Sequence, residues 1–244
     1  MHRWLRWLGI AGVAAVGVLT PIYAPRALAR VDIFLAEDVD VAGVTWVNPL
    51  EILRTAGIDR STNVWEPLDE FEERIAAHPM VLDVEVRRDL PRGLSVEIRE
   101  RVPVGLVPTP TLEAIDAEGR YLPIDPSGLS IDLPILVPRD DPTAEDPRPT
   151  RARIRNLARL AETMRGHDVF WSRVSEIREM DDGTVVARWG APDPMDFQLD
   201  PEADLPRLRE GLDALEMEMR VWGDELPEAV DLRWADQVVV RYGS

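Results

Sequence analysis

The sequence predicts an α+β chain: an N-terminal transmembrane helix, a small β-α-α-β-β unit, and then a mostly antiparallel β region carrying two helices. Three observations carry that prediction. Trp7 to Pro25 contain no charged side chain. Residues 36 to 104 give signals in the order strand, helix, helix, strand, strand. After Pro103 the pattern changes to short alternating runs separated by turns rich in Gly and Asp.

The uncharged run of 19 residues, 7 to 25, is flanked by Arg3 and Arg6 before it and by Arg26 and Arg30 after it. Trp4, Trp7 and Tyr23 stand where interfacial aromatics belong, so the stretch reads as a membrane span with residues 1–6 as a short cytoplasmic tail. Ala27 and Ala29 also make an A-x-A pattern, the mark of a cleaved secretory signal. The run is longer than the ~7 to 15 residues of a usual signal h-region, which favours the anchor. Either reading exports the remainder of the chain.

In the first unit, Val39 to Val44 form a short strand ending at Gly43. Asn48 and Pro49 supply an N-cap and a first-turn residue for a helix stopped by Gly57. Pro67 opens a second helix with Leu68, Phe71 and Ile75 on its apolar stripe and Asp69, Glu70, Glu72 and Glu73 at the positive end of its dipole. His78 and Pro79 end it. Val84 and Val86, then Leu94, Val96 and Ile98, alternate with polar residues on either side of a turn at Pro91 to Gly93. Two helices on a three-stranded sheet are expected.

Beyond Pro103, "LEAIDAEGRYLPI" predicts a hairpin turning at Asp116 to Gly119, and Pro134 to Val137 a brief strand. Pro138 to Thr150 is a proline-rich acidic loop. Thr150 caps a helix to about Arg165 with Ile154, Leu157, Leu160, Ala161 and Met164 on one stripe. Val174 to Trp189 reads as a hairpin with a type I′ turn at Asp182 and Gly183, neighboured by Met195 to Leu199. Leu205 to Val221 is the last helix, with Leu208, Leu212, Leu215 and Met219 at helical spacing. In the tail, "VDLRWADQVVVRYGS", Val230, Leu232 and Trp234 share one face and Val238, Val240 and Tyr242 repeat the period of two, so a terminal hairpin joined through "ADQ" is expected. Such a last strand is either covered by an earlier segment or offers its backbone to a strand from another chain.

Composition excludes several classes. The formal charge is −17 and every basic residue is Arg, which argues against a nucleic-acid footprint. There is no Cys, and His2, His78 and His167 lie far apart, so thiol chemistry is excluded and a metal centre is not expected. Asp69 to Glu73 read as a solvated helix start. Asp181 to Gly183 read as a hairpin turn, without the ligand series of a calcium loop. No nucleophile, base and oxyanion site can be assembled, so neither an enzyme nor a cofactor is expected.

The single short-tailed span, "VAGV" (41–44), "HPMVLDVEVRRDLPRGLSVEIRERVPV" (78–104), "AIDAEGRYL" (114–122) and "AVDLRW" (229–234) together resemble the bacterial cell-division family FtsQ/DivIB, in the right order along the chain. The resemblance implies a POTRA domain over 36–104 and the family's β domain over 105–244, both outside the cytoplasmic (inner) membrane, in a protein found at the division septum. It implies a scaffold without catalytic activity that binds FtsB and FtsL and links early division proteins to septal peptidoglycan synthases such as FtsW and FtsI. FtsB is expected to add a strand at the terminal edge, which places Trp234, Val238, Val239, Val240, Arg241 and Tyr242 at the partner site. Of these, Val238, Val240 and Tyr242 are also what a core face would carry; Val239 and Arg241 lie on the opposite face. A rival reading, an exported POTRA-containing chaperone or transport component for outer-membrane proteins, calls for further POTRA repeats or a barrel, and neither is in this sequence.

Overall fold

The computed structural model describes residues 24–109, 111–126, 132–139, 148–222 and 227–243. The expected tail at 1–6, nearly all of the expected span at 7–25, and the middle of the Pro138 to Thr150 loop lie outside them. Among the described residues no helix is long and apolar enough to cross a membrane. The chain divides into two compact units at Arg101 and Val102. Val104, the last residue of the expected first domain, instead joins the core of the second unit.

In the first unit β1 (Asp38–Ala42) pairs in parallel with β3 (Gly93–Glu100), which pairs antiparallel with β2 (Val81–Asp89), giving the order β1-β3-β2. Helices α1 (Pro49–Ala56) and α2 (Leu68–Ala76) pack on one another, and α2 packs on β2. Local chemistry sets the limits of α1: Asn48 Oδ1 accepts from Leu50 N at 2.9 Å, and Gly57 closes the helix at φ 71°. Ile52, Phe71, Ile75, Leu94, Val96 and Ile98 fill the core.

Two carboxylates in this unit, Glu100 and Glu72, bind backbone amides distant from them in the chain. Glu100, nearly buried at the end of β3, accepts from Thr45 N (2.8 Å), Trp46 N (2.9 Å) and Val47 N (2.9 Å), which fixes the loop leading to α1. Glu72 of α2 accepts from Val86 N at 2.8 Å. Because Val86 stands opposite Val96 but gives its N–H to Glu72, that N–H points away from β3, along the outer edge of the sheet. Gly43 follows β1 with φ 81°, and a Cβ there would lie 1.9 Å from Ile98 O.

The second unit is built on an eight-stranded sheet of order β11-β10-β9-β8-β7-β6-β4-β5. Its strands are β4 (Gly105–Thr109), β5 (Thr111–Ile115), β6 (Ile135–Val137), β7 (Val174–Glu179), β8 (Val185–Trp189), β9 (Met195–Leu199), β10 (Ala229–Asp231) and β11 (Val239–Arg241). Its helices are α3 (Arg151–Arg165), α4 (Asp168–Trp171) and α5 (Leu205–Trp222), one more than expected, α4 being a four-residue turn capped by His167. The sheet is more mixed than the expected mostly antiparallel one. Four pairings are antiparallel, but β4/β6, β6/β7 and β9/β10 are parallel. Two of these three follow from the helices: α3 carries the chain from β6 to β7 and α5 from β9 to β10, each a crossover between parallel neighbours, while β4 and β6 are joined through β5.

Ile154, Leu157, Leu160, Ala161 and Met164 of α3 are all buried against this sheet, with Leu208 and Leu215 of α5. Met219 does not join them and is exposed. Phe170, Trp189 and Phe197 stack edge-on or tilted at 5.0 to 6.2 Å, and Trp189 Nε1 donates to Phe170 O at 3.2 Å.

Two turns differ from expectation. The segment after Asp116 returns for a single bridge, Tyr121 to Ile115; the ladder partner of β5 is β4. At Asp182–Gly183 only the glycine has positive φ (85°), and Gly183 N donates to Met180 O at 3.0 Å. This is a type I turn with a glycine bulge, since type I′ needs positive φ at both residues.

Candidate functional site

The terminal hairpin forms one edge of the eight-stranded sheet. Its strands pair Ala229 with Arg241, Val230 with Val240, and Asp231 with Val239. Seven residues, 232 to 238, connect them rather than "ADQ" alone. Arg207, near the start of α5, accounts for the longer loop. Its guanidinium donates to Leu232 O (3.0 Å), Gln237 O (2.6 Å) and Trp234 O, diverting those carbonyls from a strand ladder. The helix can come this close because Gly211 faces Leu232, where a Cβ would lie 2.6 Å from Leu232 Cδ1.

The direction of the edge groups follows from β10. Glu228 O accepts from Asp196 N (3.0 Å), and Leu232 N donates to Gln198 O (2.7 Å). Within the strand Val230 therefore addresses β9, Glu228 just before it gives its C=O to β9 and its N–H to β11, and Ala229 and Asp231 address β11. Their partners Arg241 and Val239 turn inward in consequence, consistent with Arg241 O accepting from Glu228 N at 2.8 Å. Val240 then turns its N–H and C=O outward, and among the described residues no strand lies beyond β11.

Side chains of the six predicted residues divide between two faces and the loop. Val238 packs against the core cluster that includes Val230 and Leu232, and Val240 is half-buried across from Val230. Tyr242, 38% exposed, donates its hydroxyl to Glu218 Oε2 of α5 at 3.2 Å. Met217 and Val221, within a turn of Glu218, are exposed apolar side chains. Trp234, which alternation groups with Val230 and Leu232, is 53% exposed because β10 has already ended at Asp231. Val239 is half-buried and Arg241 exposed on the opposite face.

Arg241 is tied down there by a residue outside the predicted set. Asp231 has no exposed surface; its carboxylate accepts from Arg233 Nε (2.9 Å) and Nη2 (2.7 Å), and from Arg241 Nη2 (2.6 Å). The hydrogen-bonded Arg233 guanidinium, with the charge of Arg241 behind it, holds the Asp231 carboxyl below the usual carboxylate range. This two-arginine clasp spans both strands of the hairpin. Half of it had a signal in the sequence, since Asp231 and Arg233 sit two apart and share a face. The contribution of Arg241 and the whole role of Arg207 had none.

The remaining polar candidates serve local structure. His78 Nδ1 accepts from Met80 N (3.2 Å) and His167 Nδ1 from Phe170 N (3.4 Å); Asp182 Oδ1 accepts from Thr184 N at 2.9 Å within its turn.

Residues 34–101 match the POTRA domain of FtsQ type. The chain is similar to the protein named Cell division protein FtsQ from Geotalea daltonii, 28% identical over 237 residues that cover 96% of this chain and 84% of that protein. The protein of that name from Myxococcus fulvus is 31% identical over 130 residues, 52% of this chain and 46% of its own length, so the chain spans about half of that relative. A third, from Agrobacterium fabrum, is 27% identical over 218 residues, 85% of this chain and 61% of that protein.

Proposed function

We propose, for a chain whose FtsQ-type POTRA domain and FtsQ relatives support the FtsQ family and a role in cell division, that it is a single-span scaffold whose second unit captures FtsB by strand addition to β11. In this reading residues 1–6 lie inside, 7–25 cross the cytoplasmic membrane, and the POTRA and β domains lie outside it at the septum. FtsL arrives with FtsB, and the assembly couples to the septal synthases FtsW and FtsI. The observation that carries the proposal is the outward-facing backbone of Val240 on a strand that, among the described residues, has β10 on one side and no strand on the other.

Recognition divides between backbone and side chains. Each added strand hydrogen bond gains about 0.5–1.5 kcal/mol net, and so short an edge offers only a few. Apolar anchoring has to supply the rest, and exposed Trp234 and Tyr242 on either side of β11 are residue types suited to it. Val238, Val239 and Arg241 hold the strand in place for the visitor.

A bacterial two-hybrid assay against FtsB tests this with Val240→Pro, which removes the outward N–H and leaves the inward ladder groups of Val239 and Arg241 intact. Binding should fall by up to about tenfold for the lost bond alone. Unchanged binding by a stably expressed variant would remove β11 from the interface.

A further inference from the structure

We infer that Val31 and Ile33 are seated in the lipid interface, so that the first unit rests directly on the bilayer; this builds on the reading of residues 7–25 as a span. Residues 24–28 are helical, Ala29 N donates to Pro25 O (2.9 Å) and Val31 N to Leu28 O (3.0 Å), and a 3-10 helix follows at Asp32–Phe34. One side of this segment is fastened to the unit. Nearly buried Asn63 donates from Nδ2 to Val31 O (3.0 Å) and Leu28 O (3.5 Å), Val64 N to Phe34 O (3.0 Å), and Ala36 N to Thr62 O (2.8 Å). Phe34 packs edge-on against Trp65 at 6.0 Å. The other side leaves Val31 and Ile33 open, Ile33 at 65% exposure. Leu90 is exposed at the same end, on the hairpin tip whose Arg92 donates from Nε to Leu35 O at 3.3 Å.

Chain length and charge identify the occupant as lipid. Ile33 is eight residues beyond Pro25. Helical rise over those eight residues is about 12 Å, a few ångströms more than the depth of a headgroup layer roughly 5–8 Å thick on each side of the hydrocarbon. The turn after residue 28 shortens that reach further. Residues 24–36 contain Arg26, Arg30 and a single acid, Asp32, so this stretch is net positive in a chain of formal charge −17, whose acidic part begins just beyond it at Glu37, Asp38 and Asp40. A short basic, apolar surface on an otherwise acidic protein fits anionic phospholipid. Because Asn63 pins the segment's carbonyls, lipid contact at Val31 and Ile33 would set the stance of the whole unit.

The chain has no cysteine, so single nitroxide labels can be placed cleanly. Full-length protein carrying Ala15→Cys, Ile33→Cys or Leu82→Cys is reconstituted in vesicles of phosphatidylethanolamine and phosphatidylglycerol. Collision rates are then read with oxygen and with a water-soluble nickel chelate. Leu82 is exposed at the far end of β2, roughly 25 Å from the hairpin tip. The expected result is that the Ile33 label, like Ala15, loses nickel collisions and keeps oxygen collisions, while Leu82 does the reverse. An Ile33 label as open to nickel as Leu82, with Ala15 protected, overturns the inference and leaves the span intact. Protection of Ile33 from both reagents means protein covers it, which also overturns the inference. Nickel access at Ala15 refutes the span itself, and the inference with it.

Discussion

Replacing Asp231 by Asn tests whether the two-arginine clasp holds the terminal hairpin closed. The carboxylate is fully buried, while Arg233 and Arg241 are 32% and 47% exposed at their side chains. Asn preserves the volume but turns one acceptor into a donor that faces guanidinium donors. Hydrogen bonds to charged groups contribute about 1.5–3 kcal/mol each, and breaking a buried pair costs about 3–5 kcal/mol. Both arginines can regain water, so the lower end applies and the loss is about 3 kcal/mol. At about 1.4 kcal/mol per tenfold, the hairpin should open roughly a hundredfold more often. Hydrogen–deuterium exchange reads this at the inward amides of Val239 and Arg241, with peptides of the first unit as an unchanged internal reference. Acceleration of less than about threefold would show that β11 is held by its ladder and core contacts alone, and the reasoning from the buried carboxylate would fall.

The same group gives a pH dependence. Asp231 titrates below its unfolded value of about 3.9, so its contribution is complete above that pH and is lost as the pH falls toward the folded value. The difference in thermal midpoint between wild type and Asp231→Asn should be constant near neutrality and shrink as acid is added below about pH 4; a difference that grows with acid would have the wrong sign. In the first unit, Glu100→Ala leaves the amides of Thr45, Trp46 and Val47 without their acceptor, for a loss of about 2–4 kcal/mol in chemical denaturation followed by near-ultraviolet circular dichroism. A change below about 1 kcal/mol would mean that water replaces the carboxylate freely.

What could be read in advance was mostly local. Asn48, Pro49 and Gly57 fixed the limits of α1 through cap chemistry contained in a few consecutive residues, and the alternation of Leu94, Val96 and Ile98 fixed the buried face of β3. Strand β4 escaped because Gly105 and Pro108 interrupt its pattern, although its neighbours on both sides hold it in the sheet. The parallel pairings escaped because whether a helix joins adjacent or distant strands is decided by packing, not by helical periodicity. At the site, alternation alone left the last strand either covered or at an edge, and only the family resemblance pointed to the edge. The clasp was not legible, because Arg241 meets Asp231 across the hairpin, 10 residues away, nor was the support from Arg207, which reaches the hairpin's carbonyls from α5 at separations of 25 to 30 residues.

The first unit also ends in an exposed sheet margin, yet the midpoint of that margin is stoppered. A peptide attempting to lie along β2 would have to evict the Glu72 carboxylate from the Val86 amide and leave an anion stranded beside its own carbonyls. On the opposite margin, β1 greets the newcomer with exposed Asp38 and Asp40. Zippering is thereby discouraged along both margins of this small sheet, so a bare ribbon that drifts against the first unit finds no ready berth there.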